Sequence, residues 1–199
     1  MKQLLTRTAL FSILMIAAVN VWAVNVADAQ TLIKNTTDKV LETLKNDSRQ
    51  LNRLVDKVVL PHFDFRKMSR LVLGKHWKTV YKKRKRFITA FRGLLVRTYT
   101  AAFVKVAGKV RKIKYSTSAK GLKKAMVSAK VYQHGVTKPL KVDYFMFFNK
   151  RGKWKVYNIV VSGVSLVTNY RSEFSKDIKT IGIEELIKKI KRQEAKKIN

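Results

Sequence analysis

Residues 123–161, KKAMVSAKVYQHGVTKPLKVDYFMFFNKRGKWKVYNIVV, decide the fold. Three runs in this stretch alternate with period two, the pattern of strands that bury one face. In the first, Ala125, Val127, Ala129 and Val131 point one way while Lys124, Ser128 and Lys130 point the other. In the second, Leu140, Val142, Tyr144, Met146 and Phe148 share a face. Its opposite face begins with Lys141 and Asp143, then turns apolar at Phe145 and Phe147. In the third, Trp154, Val156 and Val160 oppose Lys155, Tyr157, Ile159 and Val161. Gln133-His134-Gly135 and Asn149-Lys150-Arg151-Gly152 supply turn chemistry between the runs. The pattern predicts an antiparallel meander, apolar on one face and partly apolar on the other, which needs a cover.

The flanking sequence supplies helices for that cover. Residues 31–45 space Leu32, Thr36, Val40 and Leu44 at i, i+4, with Ile33 and Leu41 beside them. Ser48 can cap a second helix carrying Leu51, Leu54, Val55 and Val58, which Pro61 ends. Asp64 suits the N-cap of a short helix with Met68, Leu71 and Val72 buried and Gly74 as its stop. A long helix is expected over residues 81–106, its stripe formed by Phe87, Phe91, Leu94, Leu95, Thr98 and Ala102, with Ile88 and Tyr99 alongside. Residues 109–116 read as an edge strand with Ile113 and Tyr115 inward and Lys112 and Lys114 guarding the edge. After the meander, Ser162-Gly163 breaks the chain before a helix with Leu166, Tyr170, Phe174 and Ile178. Gly182 punctuates, and a last helix (Ile183, Leu186, Ile187, Ile190) runs into a lysine-rich tail. The fold class is α+β: helices packed on a twisted antiparallel sheet of about four strands.

With 199 residues, 46% of them hydrophobic, the chain can bury a real core. Its net charge of +32 calls for anionic partners: nucleic acid, anionic lipid or acidic protein. The absence of cysteine excludes disulfides, thiolate metal sites and a lipidated N-terminal cysteine. Residues 1–29 read as a secretory signal, with Lys2 and Arg7 ahead of an apolar stretch over 9–19. Ala27-Asp28-Ala29 fits cleavage before Gln30, and Val21-Trp22-Ala23 is a second option. Residues 30–199 then form a single domain. An exported protein rarely meets chromosomal nucleic acid but constantly meets anionic lipid.

Catalytic motifs are scarce. His62, His76 and His134 are scattered, with no HExxH, no Gly-rich phosphate loop and no G-x-S-x-G elbow. Asp143, the one acid in the meander, is expected to pair with a neighbouring lysine or arginine rather than act as a base. No enzyme activity, metal or cofactor is expected. The aromatic residues Phe87, Phe91, Tyr99, Tyr144, Phe145, Phe147, Phe148, Trp154 and Tyr170 suit either a filled core or a hydrophobic cavity.

Four segments carry a resemblance. They are Val59-Leu60-Pro61-His62-Phe63-Asp64-Phe65, Leu71-Val72-Leu73-Gly74-Lys75-His76-Trp77, Phe91-Arg92-Gly93-Leu94-Leu95-Val96-Arg97-Thr98-Tyr99 and Gly163-Val164-Ser165-Leu166-Val167-Thr168-Asn169-Tyr170-Arg171-Ser172-Glu173-Phe174. Together they resemble the MlaC/toluene-tolerance family of periplasmic phospholipid-binding proteins. The resemblance implies a nuclear-transport-factor-like cone around an apolar pocket that takes phospholipid as cargo. It also implies a shuttle, expected to be monomeric, between an outer-membrane lipoprotein complex and an inner-membrane ABC transporter complex with its substrate-binding subunit. Such a shuttle maintains the lipid asymmetry of the outer membrane. Two positions depart from the family pattern. Thr79-Val80-Tyr81 and the basic run after it replace a small-residue, Pro- and Gln-containing cap, and Asn158 stands where an Asp is usual.

On this reading Phe91, Leu94, Leu95, Tyr99, Val142, Tyr144, Phe147, Val164 and Leu166 are expected on the pocket wall. The run Lys82, Lys83, Arg84, Lys85 and Arg86 is expected to dock on an anionic membrane surface or an acidic partner, mouth inward. The alternative is a secreted module that binds nucleic acid or another polyanion through the same cations and exposed aromatics.

Overall fold

The computed structural model describes residues 24–46 and 51–195. The meander is present, with one more strand than expected. β1 (Val110–Ala119), β2 (Lys124–Gln133), β3 (Leu140–Phe148), β4 (Trp154–Val161) and β5 (Val164–Ser165) form a five-stranded sheet in chain order. All neighbours are antiparallel. The two residues of β5 are too few to display a period.

The register aligns Ala125 with Met146, Val127 with Tyr144, Ala129 with Val142 and Val131 with Leu140, so the expected inner face of β2 and β3 holds. In β4 the alternation breaks. A bulge inserts one residue between Val156, opposite Met146, and Asn158, opposite Phe145. Ile159 and Val161 therefore turn inward with Trp154 and Val156, while Val160 lies opposite Asp143 on the outer face. The uninterrupted alternation expected for this strand is corrected accordingly.

The helices surround the inner face. α1 (Val26–Asn46) lies along β1 and β2 with Ala29, Ile33 and Val40 buried. The short α2 (Leu51–Leu54) continues through a π-helical turn and a 3-10 turn containing Pro61; Ser48 lies outside the described residues. α3 (Phe65–Leu73) starts on Asp64, whose carboxylate accepts the Lys67 N–H at 2.8 Å. It stops at Gly74, whose φ of +51° favours glycine. A one-turn α4 (His76–Thr79) leads into α5 (Arg84–Ala107), which starts after a 3-10 turn and without a side-chain cap. Arg84 instead donates from Nε to the Trp77 carbonyl at 2.8 Å and lies over the Trp77 ring. α6 (Leu166–Ala195) is broken at Gly182, where φ is +74°.

Two cores result. In the helical one, Phe87, Phe91, Tyr170 and Phe174 form an aromatic cluster with Met68, Val72, Leu73, Leu186, Ile187 and Ile190. The second joins Ala29 and Ile33 of α1 to Ala125, Val127, Met146, Trp154 and Val156 of the sheet.

The second core bears on where the folded domain starts. Val24 and Val26 pack against it, and Ala29 is fully buried in it. Trp154 donates from Nε1 to the Asn25 carbonyl at 3.3 Å, and the Asn25 side chain caps Ala27 N at 2.9 Å. A chain beginning at Gln30 loses all of these contacts. It should be less stable than one beginning at Val24 by at least about 2 kcal/mol, read from urea unfolding of the two proteins.

Candidate functional site

Between the two cores lies a cavity of about 560 Å³. α1 contributes Ile33, Thr36, Thr37, Val40 and Leu41, and the second half of α5 contributes Leu95, Val96, Tyr99, Thr100, Ala102, Phe103, Val106 and Ala107. The sheet adds Ile113, Tyr115, Ala129, Val131, Val142, Tyr144, Ile159 and Val161. Val59, Leu60, Phe63 and Met68 close one side, and Val164 and Leu166 complete the lining at the turn into α6.

None of the lining residues is Asp, Glu, Lys or Arg. Thr36 and Thr37 turn their hydroxyls back onto the Leu32 and Ile33 carbonyls at 2.7 and 2.8 Å, which satisfies those hydroxyls within α1. Burial pushes the Tyr144 and Tyr115 phenols up from their ordinary range, so both stay neutral. Burial, aided by nearby Lys155, pushes His62 down, so it too is neutral at pH 7. The wall therefore carries no formal charge. Val142, Tyr144 and Ile159 keep accessible surface although they lie on the inner face, as expected for walls of a hollow rather than parts of a packed core.

The cavity opens where its lining residues are themselves exposed, at Phe103 (36%) and Val164 (58%). This is the end of the sheet where α5 passes into β1, with Val110, Leu140 and Val161 in the lining. The other end is closed by the sheet core.

Of the residues expected on the wall, Leu95, Tyr99, Val142, Tyr144, Val164 and Leu166 line the cavity. Phe91 and Leu94 do not: α5 turns them into the helical core, where Phe91 lies 5.3 Å from the Tyr170 ring. Phe147 does not either, because it belongs to the outer face of β3, under Lys67 and beside Tyr157. The reading missed Ile33, Val40 and Leu41, then Phe103, Val106 and Ala107, and also Val59, Leu60, His62 and Phe63. One signal was available for the first two groups: apolar residues of α1 and of the end of α5 extend beyond a single stripe.

The basic run is partly engaged within the fold. Lys83 and Arg86 both pair with Glu184, and these cations hold its carboxyl below the usual range. Arg84 lies on Trp77 and the Lys82 ammonium is 5.7 Å from the Tyr81 ring, while Lys82 and Lys85 make no ion pair with a described residue, at the end of α5 remote from the opening. Asp143 accepts from Ser128 Oγ at 2.5 Å and pairs with Lys141 at 3.1 Å, on the outer face. Asn158 bonds Ser165 at 3.0 Å and accepts Val167 N–H at 3.2 Å, fastening the start of α6 to β4. Among the described residues no group of His, Cys, Asp and Glu could hold a metal ion.

An α+β cone with an uncharged, apolar hollow open at one end defines a class: a cradle for an apolar molecule, with no acid or base other than neutral His62 and tyrosines on its wall. Comparison makes the class particular. The sequence model described as "MlaC: MlaC protein" matches residues 34–192, and the chain belongs to this family. The chain is 25% identical over 158 residues to the intermembrane phospholipid transport system binding protein MlaC of Haemophilus influenzae, covering 78% of this chain and 73% of that protein. It is also similar to a phospholipid-binding protein from Ralstonia solanacearum whose structure was solved in complex with a phospholipid. That match has a TM-score of 0.73 at 26% identity and covers 86% of this chain and 99% of the other.

The two kinds of position differ in what a truncation removes. Phe91→Ala should cost about 3–5 kcal/mol of stability, because it opens a void in packed atoms. Val142→Ala, whose side chain faces the hollow, should cost less than about 1 kcal/mol, both measured by denaturant titration.

Proposed function

We propose that this protein is an exported carrier that holds phospholipid acyl chains in the cavity and passes the lipid between membrane complexes. The observation that carries the reading is the size and chemistry of the hollow. At about 24 cal/mol per Å³, an apolar void of 560 Å³ left unfilled would cost up to about 13 kcal/mol. A whole domain has only about 5–15 kcal/mol of stability. Water does not relieve the cost, since the wall offers it few partners. Acyl chains do, and 560 Å³ falls within the range of small-molecule sites.

The mechanism needs no chemical step. Burying acyl chains is worth about 0.8 kcal/mol per methylene against water, but a bilayer offers the same environment. Transfer from membrane to cavity is therefore nearly neutral, and the carrier's task is to keep the tails from water in transit. The headgroup remains at the opening, where Lys105, Lys109 and Arg111 are exposed. The names of the Haemophilus and Ralstonia proteins support phospholipid as the cargo. Membership of the family supports the periplasm as the location, with an outer-membrane lipoprotein complex and an inner-membrane ABC transporter complex as partners. Lys82 and Lys85 contribute to docking on acidic faces of those partners or on anionic lipid. The leader ends after Ala23 rather than after Ala29, which keeps Val24, Val26 and Ala29 in the mature domain, where they pack.

Protein purified from a Gram-negative periplasm should release phospholipid on organic extraction, at a stoichiometry near one by mass spectrometry. Folded protein without bound lipid would overturn the reading. Leu95→Trp, which projects into the hollow, should lower lipid content several-fold while the thermal transition of the protein persists.

A further inference from the structure

The most exposed large apolar residue among those described is Leu122, at 98%. It sits at the tip of the hairpin between β1 and β2, in the sequence Lys120-Gly121-Leu122-Lys123-Lys124. The turn is tight: Lys120 N–H bonds Lys124 O at 2.8 Å, Lys124 N–H bonds Gly121 O at 3.2 Å, and Gly121 has φ +116°. No neighbouring element covers the leucine, so its exposure is a feature of the turn rather than of a loose loop.

Beside the tip is a notch of about 290 Å³, lined by Lys67, Lys120, Lys123, Lys124, Phe147 and Phe148 together with the turn. No acidic residue lines it. None of these lysines makes an ion pair with another described residue. Lys67 reaches from α3 to place its ammonium 3.3 Å above the Phe147 ring and 4.6 Å from that of Tyr157. Burial, with Lys124 and Arg70 nearby, pushes its pKa down despite Asp64, so the notch holds a cation under repulsion. A concave, aromatic-floored set of cations with no acid in its lining, around one projecting leucine, fits a surface that is anionic at its face and apolar beneath. A bilayer of anionic lipid has that layering, whereas an acidic protein face gives the leucine nothing to enter.

We propose that the β1–β2 tip docks on anionic membrane, with Leu122 entering the hydrocarbon and Lys67, Lys120, Lys123 and Lys124 at the level of the phosphates. The register places this tip at the closed end of the sheet, about 30 Å along β1 from the opening at Val110. A molecule docked there presents its opening away from the bilayer, toward a protein partner. The inference does not depend on what fills the cavity.

Flotation of the mature protein with vesicles tests it. The vesicles are phosphatidylglycerol mixed with phosphatidylcholine, or phosphatidylcholine alone, across a salt series. Binding should require the anionic lipid and fall steeply with salt. Reversing Lys120, Lys123 and Lys124 to Glu should weaken it at least about tenfold, since each lysine near the surface contributes about fivefold. Leu122→Asp should weaken it, and Leu122→Trp should add fluorescence that brominated acyl chains quench. Leu122 is almost fully exposed, so an unchanged thermal transition in the Leu122 variants keeps the comparison clean. Absent binding, binding equal on uncharged vesicles, or an unquenched Trp on bound protein would each overturn the proposal. Capture by polyglutamate without vesicle binding would overturn it in favour of an acidic protein partner. Lipid extracted from the same preparation is counted separately, so an uncharged cargo result and a failed docking result are told apart.

Discussion

An apolar hollow between two packed cores is the constraint on which this structure depends. Its wall cannot collapse, because α5 is pinned at one end by the aromatic cluster of Phe87, Phe91, Tyr170 and Phe174. α1 is pinned to the sheet by Ala29 and Ile33. The second halves of both helices are thus held apart over the curved inner face of β2, β3 and β4. A core of this composition would ordinarily close to native density. Here the fixed ends prevent it, and the volume that remains suits a flexible apolar ligand.

The polar groups near the hollow serve to hold its frame. Asp64 starts α3, Asn158 and Ser165 fasten the start of α6, and Arg171 donates to the Leu71 carbonyl at 2.6 Å across the turn at Gly74. Asn158 makes its hydrogen bonds without a charge. Asp143, the acid that sequence reading singled out, is turned to the outer face and paired. All of these contacts lie in the scaffold, and the wall they support stays neutral.

The charge of +32 divides by location. Some cations are structural: Arg84 supports the start of α5, and Lys83 and Arg86 tie α5 to Glu184 in α6. Others stand free at the two ends of the sheet. Lys105, Lys109 and Arg111 are exposed beside the opening, and those at the hairpin tip surround a leucine. Reading the chain as one uniformly basic surface hides this division, because linear proximity in Lys82 to Arg86 says nothing about which side chains have partners.

Local and periodic features were legible in the sequence. The alternation of Ala125 to Val131 and of Leu140 to Phe148, the Asp64 cap, the Gly74 stop and the Gly182 break need only neighbouring residues, and all are present. Features set by distant residues were not legible. The bulge in β4 reverses Val160 and Ile159 through one extra residue in the pairing with β3, which an alternating pattern does not reveal. Phe91 and Leu95 stand one helical turn apart on the same stripe and both belong to the helical core, yet only Leu95 also borders the hollow. α6 packs on α5 at Phe87 and Phe91 and reaches Thr98 and Tyr99 through Tyr170, and past that turn α5 faces the hollow. Periodicity determines which residues leave water; whether they meet each other or a cavity is decided by where the ends of the helices are tied.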